Sequence, residues 1–350
     1  MRFLLATLLV PALAASLPAA DVPKPTGGAI VDPDAKLELL FTRSAPIQGG
    51  LTEGPAVAPD GFIYFSDIPF GKDKGMILRF DPKTKKATVF AEDSFKSNGL
   101  KFDAQGRLLA CEGSDLGGRR VARWDTKTGK SETVADKYMG KRFNAPNDLV
   151  IDKQGRIYFS DPRYLGAEPR ELEHRAVYRI DPDGKVVEVT HEVEKPNGIA
   201  LSPDQKTLYL ADHNNGTDRI GDGTVPKKGA MKVYAFPLGG DGLVAGPRKT
   251  LVDFGDEDGC DGMTVDKQGN VYLTARGLKR PGVLIIDPAG KEVAFIPTGL
   301  SQPGAKEPAG IPSNVCFGTG DESKTLYVTV DKSLFRIRLK VDGLPPAFAK

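Results

Sequence analysis

The sequence predicts an all-β protein, a six-bladed β-propeller with four-stranded blades, and three observations support this prediction. One phrase recurs along the chain, in which a polar residue is followed by a short apolar run, a turn and a second apolar run. The copies begin at intervals of roughly fifty residues, a spacing typical of propeller blades. The 40 glycines and 27 prolines are spread over the 350 residues rather than gathered in one linker.

Six copies of the phrase can be aligned. They occupy residues 53–67, 98–112, 147–161, 197–212, 261–276 and 314–330. Each copy predicts a β-hairpin, because its side chains alternate with a period of two around a turn rich in Asp, Gly and Gln. Further strands follow most copies, for example at 76–82 and 87–91, 176–182 and 186–190, and 283–288 and 292–296. Four strands per repeat indicate a blade.

The last repeat lacks an outer strand. Residues 333–339 provide its third strand, and little strand pattern follows them. The segment 36–43 alternates well and precedes the first full blade. We therefore expect this N-terminal strand to complete the last blade and close the ring, which hides edges that an open array would expose. A seven-bladed propeller is the alternative, but the sequence contains no seventh copy.

Residues 1–20 have the pattern of a secretory signal peptide. Arg2 supplies a positive charge, residues 3–15 form an apolar stretch too short to span a bilayer comfortably, and small residues follow. We expect cleavage after Ala14 or after Ala20 and export to the periplasm or the medium. A retained membrane anchor is the alternative. Residues 21–350 then form one propeller domain.

The bulk composition excludes several classes of function. With 48 basic and 46 acidic residues, the formal net charge of +2 points neither to nucleic acid nor to an anionic membrane surface. The three cysteines, Cys111, Cys260 and Cys316, are far apart, so they form no disulfide framework and no zinc-binding spacing. The sequence also lacks a Gly-x-Ser-x-Gly elbow and a phosphate-binding loop, which argues against a serine hydrolase or a nucleotide enzyme.

The first residues of the six copies are predicted to converge at one mouth of the central channel, because the first strand of each blade lines that channel. This ring consists of Glu53, Asn98, Asn147, Asn197, Asp261 and Asn314. It offers two carboxylates and several amide oxygens, with no thiol and no imidazole. Such a set suits a hard divalent cation. The alternative is that these residues only set strand entry, since Asn-Gly and Asp-Gly favour turns.

Several phrases of the chain resemble the gluconolactonase family, which also holds regucalcin. They are LTEGP, APNDLVID-x-x-GRIYFSDP, KPNGIALSPD, LYLAD, CDGMTVD-x-x-GN and SNVCFG. The resemblance covers residues 37–339 and follows the family's order, and diisopropyl fluorophosphatase is a more distant relative. It implies a six-bladed propeller that holds calcium or another divalent ion in its channel and hydrolyses sugar lactones or related esters. Regucalcin has an arginine where this chain has Ala145, so its substrate cannot simply be transferred.

The resemblance also implies roles for individual residues. Glu53, Asn197 and Asp261 take the positions of metal ligands, and Asn147 takes a position that binds the metal directly or through water and substrate. Asp261 matches the proposed general base, although related phosphotriesterases leave open a nucleophilic role. Calcium is the expected ion, with zinc, manganese and magnesium as alternatives. A bound cation would polarise the lactone carbonyl, and a nearby carboxylate would accept a proton from water.

The loops after the second strands are expected to shape the channel mouth. The longest are residues 162–175 and 213–230. Arg163, Tyr164, His213 and Arg276 begin such loops and are candidates to contact substrate, together with Asn98 and Asn147 of the ring. The alternative for each loop residue is that it is simply solvated.

The sequence therefore predicts a metal-dependent hydrolase of a small lactone, and it favours a sugar lactone such as gluconolactone. One alternative keeps the enzyme but changes the substrate to an aryl ester or an organophosphate. Another is a non-catalytic propeller that binds a sugar or a protein, because a fold does not fix a function. The acidic pair Glu53 and Asp261 favours the enzyme, since a binding module has no need of both in the channel. The sequence leaves the oligomeric state open.

Overall fold

A computed structural model describes residues 22–44, 50–69, 71–218, 227–306 and 309–349. The predicted signal peptide lies outside these residues. Strand β1 (Glu38–Thr42) precedes the first blade, which contains β2 (Leu51–Val57), β3 (Ile63–Ile68), β4 (Met76–Asp81) and β5 (Lys86–Ala91). The second blade contains β6 (Ser97–Phe102), β7 (Leu108–Glu112), β8 (Arg120–Trp124) and β9 (Ser131–Ala135). A short hairpin of β10 (Lys137–Tyr138) and β11 (Lys141–Arg142) follows it.

The next three blades repeat the same four-stranded plan. The third contains β12 (Leu149–Ile151), β13 (Ile157–Asp161), β14 (Ala176–Ile180) and β15 (Val186–Thr190). The fourth contains β16 (Pro196–Leu201), β17 (Thr207–His213), β18 (Met231–Pro237) and β19 (Lys249–Asp253). The fifth contains β20 (Cys260–Val265), β21 (Val271–Ala275), β22 (Gly282–Ile286) and β23 (Glu292–Pro297).

The sixth blade combines both ends of the chain. It contains β24 (Pro312–Phe317), a short 3₁₀ helix (Gly320–Glu322), β25 (Thr325–Val330) and β26 (Ser333–Arg338). Strand β1 pairs antiparallel with β26 on its outer edge, so the sheet order is β1-β26-β25-β24. The described residues thus form six four-stranded blades closed by the N-terminal strand, and both predictions are confirmed. No helix in this part of the chain is long and apolar enough to cross a membrane.

The core lies between the blades rather than inside any one of them. The strand period of two sends one face of each blade towards the preceding blade and the other face towards the next one. The described residues accordingly form six buried apolar clusters, one at each blade interface. Tyr158 and Tyr178 illustrate the alternation, because Tyr158 packs against the fourth blade and Tyr178 against the second. Cys111, Cys260 and Cys316 are free thiols buried in these clusters.

The innermost strands β2, β6, β12, β16, β20 and β24 contact one another in sequence around the channel. In three blades, an aspartate at or just after the end of the second strand holds the segment that leads into the first strand of the same blade. Asp161 accepts hydrogen bonds from the backbone N–H groups of Asn144 and Ala145, at 2.8 and 2.6 Å. Asp212 and Asp331 make equivalent pairs of bonds to the segments before β16 and β24. These bonds set where the residues of the channel mouth lie.

Candidate functional site

A cavity of about 330 Å³ opens at the mouth of the central channel, where the inner strands begin. Its wall contains five of the six predicted ring residues, namely Glu53, Asn98, Asn147, Asn197 and Asp261. The loops after the second strands complete the wall, as predicted. Tyr164 and His213 belong to it, and so does Arg276. The structure therefore brings together residues that are separated by more than two hundred positions in the sequence.

The glycines that follow most ring residues have a packing role. Neighbouring inner strands approach so closely here that a Cβ atom on Gly54 would collide with the backbone of residues 98–99, and one on Gly198 with that of residues 261–262. The strand register also shifts at these points, between Glu53 and Ala56 for example. Such bulges re-aim side chains. The Glu-Gly, Asn-Gly and Asp-Gly pairs are thus explained by close approach of the blades at the channel mouth.

Asn314 departs from the predicted ring. Its Oδ1 accepts the backbone N–H of Val315 at 2.8 Å, and its Nδ2 donates to Oδ2 of Asp148 at 3.4 Å. It does not line the cavity. The expectation that all six first residues share the mouth is therefore wrong for the last blade, because this amide is used in holding Asp148.

Glu53 is a buried carboxylate that makes no salt bridge with a described residue, although the charge of Arg276 acts on it from a greater distance. Only 2% of its surface is exposed, and its Oε2 accepts the backbone N–H of Gly54 at 2.9 Å. No described lysine, arginine or histidine lies within salt-bridge distance of it. Burial raises the pKa of Glu53 well above its usual range, and the nearby negative charges of Asp261 and Asp148 raise it further. A cation bound beside Glu53 would relieve this unfavourable burial.

Asp261 belongs to a row of alternating charges along one wall. Its Oδ2 accepts a hydrogen bond from Arg276 Nη1 at 2.8 Å, and Nε of the same arginine lies 3.5 Å from Asp258. Asp258 in turn lies 3.0 Å from Nε2 of His213, whose Nδ1 is 3.1 Å from the Cys260 carbonyl. Burial alone would raise the pKa of Asp258, but the His213 hydrogen bond and the charges of His213 and Arg276 hold it well below its usual range.

Three amides of the ring have oxygens to which the described residues donate no hydrogen bond. Oδ1 of Asn98 is buried and has no hydrogen-bond partner in this part of the chain. Described residues donate no hydrogen bond to the side chain of Asn147, nor to Oδ1 of Asn197, whose Nδ2 donates to Tyr164. No group of three His, Cys, Asp or Glu side chains that could hold a metal ion occurs among the described residues. Any cation here would therefore be held by a mixed set of carboxylate and amide oxygens.

Arg163 does not contact the cavity, although it was predicted to bind substrate. Its side chain is buried and donates hydrogen bonds to the carbonyls of Gly166, Glu168 and Asp218. The backbone of Arg163 has a φ of +65°, a conformation that turns the residue away from a regular strand exit. Arg163 therefore stabilises the loop that carries Tyr164 and Leu165, and the expectation of direct substrate contact is not supported.

Sequence reasoning missed Asp148, which lies behind the ring. It is 1% exposed, and burial raises its pKa. One signal was available, since the third copy reads Asn-Asp where the second and fourth read Asn-Gly. Sequence reasoning also missed an apolar part of the cavity wall. This wall consists of Leu51, Ile68, Pro69, Pro146 and Leu165.

Comparisons with known proteins identify the family of this chain. A family model described as "SMP-30/Gluconolactonase/LRE-like region" matches residues 51–332. A gluconolactonase from Zymomonas mobilis is 30% identical over 345 residues, which covers 91% of this chain and 88% of that protein. The lactonohydrolase oryL from Aspergillus oryzae is 27% identical and covers 90% of this chain and 73% of its own length.

Solved structures give the same result. A gluconolactonase from Xanthomonas campestris superposes with a TM-score of 0.70 at 28% identity, covering 91% of this chain and 95% of that one. A calcium-binding regucalcin from Agrobacterium tumefaciens has a TM-score of 0.65 at 20% identity, covers 90% and 98% of the two chains, and shares the fold. The family match spans most of the chain, from the first blade to the last. The chain belongs to the SMP-30/gluconolactonase/LRE-like family.

Proposed function

We propose that this protein hydrolyses a small lactone with the help of one divalent cation, calcium in the first instance, held at the mouth of the channel. The observation that carries this proposal is the buried Glu53 carboxylate, which makes no salt bridge with a described residue and shares its cavity with Asp261 and three amides. Relatives named gluconolactonase and lactonohydrolase support lactone hydrolysis. Their agreement with the site favours an enzyme over a binding propeller.

The donor set fits a hard cation. Glu53, Asn147, Asn197 and Asp261 would hold it, with carboxylate charges to neutralise a divalent ion and amide oxygens to complete its coordination. When bound, such an ion supplies Lewis-acid polarisation of the lactone carbonyl. These four residues contain neither a thiol nor a ring nitrogen, which favours calcium over zinc. Manganese and magnesium remain the alternatives that metal replacement would test.

Asp261 is the proposed proton acceptor for the attacking water. Its Oδ2 is occupied by Arg276, at 2.8 Å, while described residues donate no hydrogen bond to Oδ1. The ion pair therefore fixes the carboxylate and leaves one oxygen available at the cavity. A direct nucleophilic attack by the same oxygen is the competing scheme, and Glu53 is the next candidate for the base.

The polar and apolar residues of the lining favour different parts of a substrate. Asn215 and Asp258 offer polar groups that would suit the hydroxyls of a sugar lactone. The apolar residues of the lining, with Ala145 next to Pro146, favour a second candidate class, a lactone or aryl ester with an apolar substituent. A panel with substrates of both classes distinguishes them through kcat/KM. If apolar substituents are buried in the cavity, kcat/KM should rise with their length, because each buried methylene contributes about 0.8 kcal/mol of binding.

The function is tested by proton release from this panel. Turnover should disappear in excess chelator and return when calcium is added, with zinc, manganese and magnesium compared in parallel. Full turnover in the presence of chelator would contradict a metal-dependent reaction. A complete lack of turnover on lactones and esters, with or without metal, would support the binding propeller instead.

Asp261→Asn tests the assignment of the base. The substitution keeps the size of the side chain and one oxygen, but removes the charge and the proton acceptor. At saturating metal, kcat should fall by roughly a hundredfold or more, as for loss of a general base. Asp125→Asn, in the exposed turn after β8, is the matched control and should leave kcat unchanged. Near-normal turnover of Asp261→Asn would show that Asp261 is not the base, and Glu53 would then be the next candidate.

A further inference from the structure

The structure assigns Tyr164 a role as a positioning residue that orients the side-chain amide of Asn197 towards the cation. This inference rests on the proposed function. Its basis is a chain of two hydrogen bonds: the Tyr164 hydroxyl donates to the His213 carbonyl at 3.1 Å, and Nδ2 of Asn197 donates to the Tyr164 hydroxyl oxygen at 2.8 Å. Tyr164 was expected to contact substrate, and it does line the cavity.

The direction of both bonds follows from the chemistry of the partners. A backbone carbonyl can only accept, so the single proton of the Tyr164 hydroxyl must lie on the bond to His213. The hydroxyl oxygen is then limited to accepting on its other side. Of the two ends of the Asn197 amide, only the NH₂ end can donate. The amide therefore has one favoured orientation, with Nδ2 on Tyr164 and Oδ1 turned away from it.

That orientation presents an oxygen to the cavity. Asn197 is only 3% exposed, it lines the cavity, and its Oδ1 receives no hydrogen bond from the described residues. Without Tyr164, rotation of the amide by half a turn would place NH₂ where a cation needs an oxygen. Asn314 shows the contrast, because the backbone of Val315 occupies its oxygen at 2.8 Å.

Tyr164 is itself held in place. Its ring lies 4.7 Å from the ammonium of the buried Lys195 and 6.1 Å from the ring of His213, with the two rings nearly perpendicular. The loop that carries it is fixed by the buried Arg163 guanidinium and by the hydrogen bond from Ser114 Oγ to the Leu165 carbonyl. A side chain anchored on several sides can impose an orientation on a neighbour.

Tyr164→Phe removes the hydroxyl and keeps the ring. Affinity for calcium, measured on the full-length protein by competition with a chromophoric chelator, should fall by about 10–100-fold, the usual effect of losing an orienting partner of a ligand. Thermal unfolding in chelator checks that the variant is folded.

The Asn197→Asp background distinguishes an orienting role of Tyr164 from a purely structural one. A carboxylate presents an oxygen in either orientation and has no proton to donate to the Tyr164 oxygen, so Tyr164→Phe should leave calcium affinity unchanged or raise it in this background. An equal loss in both backgrounds would show that Tyr164 acts through packing and would overturn the inference.

A metal-free measurement separates this inference from the proposed function. In wild-type protein, NMR should find the side-chain NH₂ signal of Asn197 protected from hydrogen exchange, and Tyr164→Phe should abolish that protection. Unchanged exchange would refute the orienting role whatever the protein binds. Protection lost in the variant, together with no cation binding by wild type, would support the orientation and refute the metal-dependent function.

Discussion

Lys195 is a buried lysine whose charge should control the stability of the protein at alkaline pH. It is 1% exposed, and its ammonium donates hydrogen bonds to Oδ1 of Asn215, at 3.0 Å, and to the Thr217 carbonyl. No described carboxylate lies within salt-bridge distance. Burial, followed by the charge of Arg175, lowers the pKa of Lys195 from 10.5 to about 8. The ammonium is therefore held by neutral oxygens at the rim of the cavity.

Lys195 binds its proton more tightly in the unfolded chain than in the folded one, and this difference sets the sign of the pH dependence. The pKa of Lys195 is about 8 in the folded chain and near 10.5 when exposed, so unfolding takes up a proton between these two pH values. The free energy of unfolding then rises with pH across that window. With about 1.4 kcal/mol per pKa unit, the contribution of Lys195 becomes more favourable by roughly 2 kcal/mol between about pH 7.5 and about pH 10.

Lys195→Met removes this titration while keeping a long unbranched side chain. Urea unfolding of wild type and variant at both pH values should show that wild type gains roughly 2 kcal/mol relative to the variant at the higher pH. Lys86→Met, at an exposed position of β5, is the control and should follow the wild-type pH dependence. A difference between wild type and Lys195→Met that stays constant with pH would refute the reasoning.

Three further predictions concern the metal, the ring closure and export. Glu53→Gln should lower calcium affinity by roughly a hundredfold or more in chelator competition, since a charged ligand is lost, and should stabilise the metal-free protein to urea, since a buried carboxylate is neutralised. Arg43 follows the closing strand β1, and its Nε donates to Oδ2 of the buried Asp67 at 2.6 Å. Arg43→Ala removes this partner and should lower the free energy of unfolding by roughly 3–5 kcal/mol. N-terminal sequencing of protein from the native host should find a start between Ala15 and Pro23, and an intact initiator methionine would contradict export.

The fold could be predicted because the same physical pattern is repeated in every blade. Alternating side chains in each hairpin become the two faces of a blade, and each face fills one of the interfaces between blades. The unpaired pattern at 36–43 also predicted ring closure, since a blade with three strands would leave an edge exposed. Strand β1 indeed lies on β26. The small hairpin of β10 and β11 was missed, because strands of two residues leave no periodic signal.

The site was harder to predict than the fold. The ring positions follow from the repeat, but the direction of each side chain depends on local bonds that the repeat does not encode. Asn314 faces away from the cavity because the Val315 N–H and Asp148 bind its amide. Arg163 faces away because its positive φ and three loop carbonyls hold it. Sequence pattern gives the place of a residue, and these competing hydrogen bonds decide its role.

The proposed cation would connect the site energetically to the closure of the ring. Glu53 lies on the first blade and Asp261 on the fifth. The sixth blade lies between these two blades and contains the pairing of β1 with β26 that closes the ring. A cation held by both carboxylates binds only the closed ring and therefore stabilises it, by about 2.7 kcal/mol at a free concentration one hundred times the Kd. Loosening the seam should correspondingly weaken cation binding. Because its proposed ligands come from separate blades, such a cation would act both as a cofactor and as a link that holds the propeller closed.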